Sequence, residues 1–288
     1  MYSSTMDYYR ATSVSDAVKM LEKNKGARLL AGGHSLIPSM KLRVANPPML
    51  VDIGRIKTLQ GIKVTKKEVR IGALTTHAMV AASEEIRAAC PILAEAAALI
   101  ADPQVRNRGT IGGSLANADP AADYPTLTMA LDATLTITGP KGEREIEARK
   151  FFKDLLTTAL KRDEVLTSIT FPAYANMPGM GGAYLKHRHP ASSYAVVGVA
   201  GMIGLEAGRI TRAVVVVGGA TANPVHAKSV ESALKGMQPT DANISDAVDT
   251  MDIDATLGDS YASAEYRAHL AKVMAKQALM LAAERAGG

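Results

Sequence analysis

The chain has 288 residues, of which 47% are hydrophobic and 21% charged, with a formal net charge of +5. That composition is globular rather than disordered or membranous, and it can build one large domain or two of ordinary size. Lysines and arginines are scattered among acids, against a nucleic-acid surface, and the single cysteine, Cys90, excludes a disulfide framework or a cysteine-ligated iron–sulfur cluster in this chain.

In chain order, Thr12 to Lys25 reads as a helix, with Ser13 and Asp16 as an approximate capping box and Val14, Ala17, Val18 and Leu21 on one face. Arg28 to Ala31 is a short buried strand that runs into the first glycine pair, LLAGGHSLIPSMK. Helix, strand, then glycine loop places main-chain donors at the carboxyl end of a strand, a common ligand position in α/β structures. Pro38, Met40 and Leu42 are read as continuing that loop, and Met49 to Ile53 as the next strand. Within the loop, His34 has no acid or nucleophile at a telling distance, so hydrogen bonding is expected of it rather than acid–base work. Lys41 and Arg43 fit either a phosphate or a solvated strand edge.

Glu68 to Ala73 is a strand, followed by a helix over Thr75 to Ala82, a second capped by Ser83, and a third started by Pro91 in its first turn. Cys90 closes the second of these apolar patterns and reads as a buried, inert thiol. Arg106 and Arg108 precede a second glycine stretch, GTIGGSLANADPAADYP, and suit either a phosphate or the acids of a partner. Glycines free the main chain of Cβ and allow positive φ, so consecutive N–H groups can converge on an anion. Ordinary turns compete with that reading for either pair alone. Neither stretch fits a P-loop or the Rossmann G-x-G-x-x-G, which disfavours those two nucleotide sites. Asp119 and Asp123, four apart, suit either a paired-carboxylate acid–base device or hydrogen bonds to a bound cofactor.

Beyond Pro125, a helix (TLTMALDA), a strand (TLTITG), a Pro-Lys-Gly turn and the strand Asp163 to Pro172 follow. Tyr174 to Gly182 interrupts the periodic pattern with proline and glycines and is the best domain boundary. Ala183 to His189, Tyr194 to Glu206 and Arg209 to Val217 then form an antiparallel meander with a tight turn at Ala207-Gly208. Helices are expected at Val225 to Lys235, at Ile244 to Met251 and from Ala264, the last with a core stripe of Tyr266, Leu270, Val273, Met274, Ala278 and Leu281. His187 and His189 fall on one side of a strand and could begin a zinc site, but no third ligand is evident. With no basic-then-apolar leader and no apolar run of bilayer length, a cytoplasmic location is expected.

The pair AGGHSLIPSMK and TIGGSLANADPAADYPTL, about eighty residues apart, resembles the FAD-binding medium subunit of the molybdenum hydroxylases, the carbon monoxide dehydrogenase and xanthine dehydrogenase group, and more closely the carbon monoxide dehydrogenase type. The likeness runs from MDYYRATSVSDAV to SAEYRAHLAKVMAKQAL, nearly the whole chain. It implies an α+β fold: a two-lobed, vanillyl-alcohol oxidase-like (PCMH-type) FAD-binding domain over 1–176, with lobes of about 1–57 and 58–176, and a smaller α/β C-terminal domain with an antiparallel sheet over 177–288. Carried across by motif, the cofactor-binding positions are Ala31, Gly32, Gly33, His34 and Ser35, then Thr110, Ile111, Gly112, Gly113 and Ser114, with pyrophosphate contacts largely from the main chain. Asp123, Leu166, Lys186 and Tyr194 match the family's flavin-contacting aspartate, leucine, lysine and tyrosine. Ser192-Ser193 stands where the carbon monoxide dehydrogenases have Gly-Asp, so any role of that acid is in doubt here and carbon monoxide is not inferred as the substrate.

The resemblance further implies non-covalent FAD in an electron-transfer oxidoreductase subunit. The molybdenum cofactor would sit on a large partner, two [2Fe–2S] clusters on a small one, in a dimer of heterotrimers. Electrons would leave the flavin for an external acceptor such as quinone, NAD or dioxygen. A self-sufficient flavin oxidase of the same fold is the alternative, and it would need a substrate pocket with a positioned base that the sequence does not display.

Overall fold

The computed structural model describes residues 2–287. A first lobe is built from β1 (Asp7–Arg10), α1 (Val14–Lys23), β2 (Arg28–Leu30), α2 (Leu36–Lys41) and β3 (Met49–Asp52). Its sheet has the order β1-β3-β2 with all strands parallel, Tyr8 opposite Leu50 and Leu29 opposite Val51. The Ser13 hydroxyl accepts the N–H of Asp16, and the Asp16 carboxylate reaches back to the N–H of Thr12, so α1 starts as its capping residues dictate. Its buried face, Ala17, Val18 and Leu21, packs on Val51 and Ile53. The segment read as a continuing loop at Pro38 and Met40 is instead α2: proline occupies the first turn, where its missing N–H costs nothing.

The second lobe carries β4 (Ile62–Val64), β5 (Glu68–Gly72), then six short helices, α3 (His77–Ala82), α4 (Glu84–Ala89), α5 (Pro91–Ala98), α6 (Pro103–Arg106), α7 (Ile111–Asn117) and α8 (Asp123–Ala130). It closes with β6 (Thr134–Gly139), β7 (Gly142–Glu147), α9 (Ala148–Phe151), the hairpin β8 (Phe152–Asp154) and β9 (Thr157–Thr158), and β10 (Val165–Pro172). The main sheet is antiparallel in the order β4-β5-β10-β6-β7. Every residue of α8 is buried, which is why its sequence has no polar face.

The third unit is the expected meander, β11 (Met180–Arg188), β12 (Ala195–Glu206) and β13 (Arg209–Gly218), extended by β14 (Val225–His226). Strand β11 begins at Met180, inside the stretch read as the domain boundary. Three helices follow: α10 (Lys228–Leu234), α11 (Asp241–Asp249) and α12 (Ala264–Gly287). Val225 and His226 belong to β14, so α10 starts later than expected. One face of this sheet shares a core with α8 and the second lobe through Tyr184, Ala200, Met202, Val214 and Val216. The other face packs under α12. Strand β12 is thus covered on both sides, and its unbroken apolar run AVVGVAGMIGL follows.

The core stripe of α12 differs from the one expected. Tyr266 and Val273 are exposed, and the buried side runs through Arg267, Ala271, Met274, Ala275, Ala278, Leu279 and Ala282. Small residues win because the helix lies almost on the sheet backbone: a Cβ at Gly201 would stand 3.1 Å from the Ala278 carbonyl carbon.

Candidate functional site

The first glycine segment leaves β2 and turns through Gly33 at φ 75° before α2. A side chain would be strained there, and glycine is not. His34 does what was expected of it: its Nδ1 lies 2.8 Å from the Gly32 carbonyl oxygen and ties the turn together. The N–H groups of Gly32, Gly33, His34 and Ser35 find no acceptor among the described residues. Four successive unpartnered main-chain donors, on a glycine turn that lines the cleft, can serve an anion.

The second segment offers something different. Thr110-Ile111-Gly112-Gly113-Ser114 is not a loop but the cap and first turn of α7. Ile111 N–H donates to the Thr75 carbonyl at 3.1 Å, Gly112 N–H to the Ala73 carbonyl at 2.9 Å, and Gly113 N–H to the Thr110 hydroxyl at 3.1 Å. Ser114 N–H closes the turn on the Thr110 carbonyl at 3.0 Å. These donors are already engaged by the fold. What the segment presents outward is the surface of Thr110, Gly112, Gly113 and Ser114, while Ile111 is fully buried behind it.

Both segments wall one cleft of about 760 Å³ at the junction of the two lobes, a size ordinary for a cofactor site. They touch: a Cβ at Gly32 would clash with the Arg108 carbonyl and stand 2.9 Å from Gly109 Cα. Asp119, Asp123, Leu166 and Tyr194 line the same cleft, as do Leu156 in the turn of the β8–β9 hairpin and Lys161 just beyond it.

Asp123 is the first residue of α8 and only 4% exposed. Its Oδ1 accepts the Tyr184 hydroxyl at 2.7 Å and its Oδ2 the Lys186 ammonium at 2.9 Å. Lys186 also donates to the Leu99 carbonyl at 3.2 Å, is itself buried, and stands one layer behind the cleft rather than in its wall. Of the fourteen positions carried over by motif, Ile111 and Lys186 are therefore the two that do not face the cavity. Asp119 accepts the N–H of Ala121 at 2.9 Å, and burial pushes its carboxyl up. The two aspartates share no hydrogen bond among the described residues, which removes the paired-carboxylate reading of that spacing. Tyr194 is half-exposed at the other end, its phenol raised by partial burial and by the Asp119 charge. Ser193 beside it takes φ 62° and accepts the Arg188 guanidinium at 2.8 Å.

Residues 4–174 match the family described as FAD binding domain in molybdopterin dehydrogenase, and residues 182–282 the CO dehydrogenase flavoprotein C-terminal domain. The chain is 38% identical to the carbon monoxide dehydrogenase medium chain of Afipia carboxidovorans, covering 99% of both chains. It is 36% identical to the glyceraldehyde dehydrogenase medium chain of Sulfolobus acidocaldarius, covering 96% of this chain and 98% of that one. The solved Cu,Mo-CO dehydrogenase in its cyanide-inactivated form superposes with a TM-score of 0.93 at 37% identity, over 99% of this chain and 100% of the other.

The chain belongs to the family of FAD-binding medium subunits of molybdenum hydroxylases. It is an oxidoreductase flavoprotein subunit with an FAD-binding domain and an antiparallel C-terminal domain. The cleft of this flavin subunit fits the cofactor on its own terms. An FAD pyrophosphate needs main-chain donors, and the N–H groups from Gly32 to Ser35 are free to offer them. It also needs a main chain without Cβ in the way, and the glycines of both segments meet there.

The structure adds a residue that the sequence reading passed over. His77, at the start of α3, lies in the cleft wall between the two segments and is only 5% exposed. Its N–H donates to the Gly109 carbonyl at 3.0 Å, and its ring lies 5.4 Å from that of Tyr124. Its Nδ1 has no partner among the described residues. Burial holds its pKa down at about 4, so the imidazole is neutral at pH 7. The one available signal was a histidine directly after the strand end and threonine cap, GALTTH. Cys90 is sealed in the core with its thiol pushed up by burial, as expected of an inert thiol. His187 and His189 pair with Tyr266 and Tyr261, at 6.4 and 4.6 Å between ring centroids.

Proposed function

We propose that this flavin subunit is the electron-transfer station of a three-subunit molybdenum hydroxylase. The main support is the cleft itself: free main-chain donors at Gly32 to Ser35 on one wall, faced by the capped turn at Thr110 to Ser114 on the other. FAD would be held there non-covalently and released by acid precipitation. Bound FAD supplies reversible one- and two-electron redox chemistry, and the protein binds it, orients it and sets its potential.

Within that assignment, Gly32, Gly33, His34 and Ser35 hold the pyrophosphate with their N–H groups. Ala31 and the Thr110–Ser114 turn shape the opposite wall, with Ile111 as its buried support. Asp123 offers carboxylate lone pairs to a donor group of the cofactor, Lys186 balances its charge, Leu166 gives an apolar wall, and Tyr194 covers the outer, half-exposed end. Residues 1–176 form the flavin domain and 177–288 the C-terminal domain that backs it.

Electrons would arrive from the two [2Fe–2S] clusters of a small partner, fed by a large molybdenum-cofactor partner, and leave to an external acceptor of the quinone, NAD or dioxygen class. A dimer of such heterotrimers in the cytoplasm is the matching assembly. Two features support an outside electron source. The one cysteine is sealed in the core, and Asp123 in the cleft wall is tied down by Tyr184 and Lys186. The substrate is left open: relatives named for carbon monoxide and for glyceraldehyde are almost equally similar to this chain, at 38% and 36% identity.

The test is anaerobic mixing of the FAD-loaded chain with carbon monoxide, aldehydes and purines, following flavin bleaching. Bleaching is expected only after the cluster-bearing and molybdenum subunits are added. Rapid bleaching of the chain alone by one of these compounds would establish the self-sufficient oxidase instead.

A further inference from the structure

We propose that Tyr184 is a positioning residue of the flavin cleft: its hydroxyl, reaching across from the C-terminal sheet, fixes the Asp123 carboxylate in the orientation that receives the cofactor. The inference rests on the FAD reading of the cleft.

Tyr184 and Lys186 are two residues apart on β11 and so point to the same side of the sheet. Both reach Asp123, one to each oxygen, at 2.7 and 2.9 Å. A carboxylate bound by Lys186 alone is balanced in charge but free to swing about its own bond. A second donor on the other oxygen sets its plane. Each oxygen keeps lone-pair capacity after accepting one bond, and Asp123 lines the cleft. The pair thus turns an acceptor toward a donor on the ligand and holds it still. Tyr184 does not itself line the cleft. Burial and the neighbouring carboxylate raise its phenol well above the ordinary value, so it remains the donor of this bond.

The strand beside it is built around this contact. Gly198 of β12 pairs with Lys186 in the sheet, and a Cβ there would collide with the Tyr184 hydroxyl and stand 3.1 Å from Cζ. The Tyr184–Asp123 bond thus satisfies a buried phenol and at the same time fixes a carboxylate in the cleft wall.

A double-mutant cycle on the full-length chain tests the proposal, reading FAD affinity and the visible spectrum of the bound flavin. Tyr184→Phe should fold, judged by circular dichroism, yet bind FAD about tenfold more weakly, the effect of losing a hydrogen bond to a charged group. The spectrum of its bound flavin should shift. Combined with Asp123→Asn, the Tyr184→Phe change should add nothing, because the group it positions is already altered. Gly198→Ala, which displaces the hydroxyl from the opposite strand, should reproduce the loss and serves as the readout if Tyr184→Phe does not fold. The proposal is overturned if Tyr184→Phe binds FAD like wild type with an unchanged spectrum. It is equally overturned if the loss is undiminished in the Asp123→Asn background. Failure of the wild-type chain to bind FAD would instead sink the flavin reading on which the cycle stands.

Discussion

Gly32 and Arg108 meet main chain to main chain: a Cβ built on Gly32 would clash with the Arg108 carbonyl oxygen and lie 2.8 Å from its carbon. This is the seam where the two lobes close around the cleft. Backbone cannot step aside as a flexible side chain can, so Gly32→Ala should separate the segments and cost FAD affinity as well as stability. Flavin content of the purified variant, set against its unfolding midpoint, checks this. An alanine variant that keeps wild-type flavin content would mean that the seam is not needed for binding.

Thr110 caps the turn that forms the second wall, its hydroxyl 3.1 Å from the N–H of Gly113. Thr110→Val keeps the shape and removes the acceptor. Loss of such a cap typically costs about 1 kcal/mol, and denaturant unfolding should show a drop of that order. Thr110→Ser, which restores the hydroxyl, should recover most of it.

Lys186 and Asp123 form a buried ion pair with side chains 1% and 5% exposed. Lys186→Met would leave the carboxylate buried beside a single neutral donor, Tyr184. Breaking such a pair by removing one partner costs roughly 3–5 kcal/mol. Asp123→Asn, which leaves the Lys186 ammonium buried with a neutral amide and the Leu99 carbonyl, should lose stability of the same order in urea.

His77 predicts a pH dependence. Its folded pKa of about 4 lies below the ordinary value of 6.5 because burial disfavours the imidazolium. Between those values the unfolded chain takes up a proton that the folded chain refuses, so stability rises with pH across this window. The contribution is complete above the unfolded pKa and is lost as pH falls toward the folded one. It amounts to roughly 3 kcal/mol. Thermal unfolding of wild type and His77→Gln, compared at neutral pH and near pH 5, should show a shallower loss on acidification in the variant.

Much of this molecule is legible one segment at a time. Ser13 and Asp16 announce the start of α1, Tyr194 to Glu206 announces strand β12, and Ala207-Gly208 announces the meander turn. Each signal is local, because capping, periodicity and turn chemistry act within a few residues. The paired motifs at Gly32 and Gly112 also carry the family, and with it the flavin.

What the sequence by itself determined was thus most of the elements, the family and the two glycine segments. Tertiary structure alone decided how those segments differ. The N–H groups from Gly32 to Ser35, between the end of β2 and the start of α2, find no acceptor among the described residues. Those from Ile111 to Ser114 are engaged by Thr75, Ala73 and Thr110. It also decided that Lys186 serves Asp123 from behind the wall, that Tyr184 joins it, and that His77 stands inside with a depressed pKa. Each of these depends on which residue, tens of positions away, becomes a neighbour once the lobes and the C-terminal sheet close. Burial, hydrogen-bond satisfaction and pKa are set by those neighbours, and spacing along the chain does not encode them.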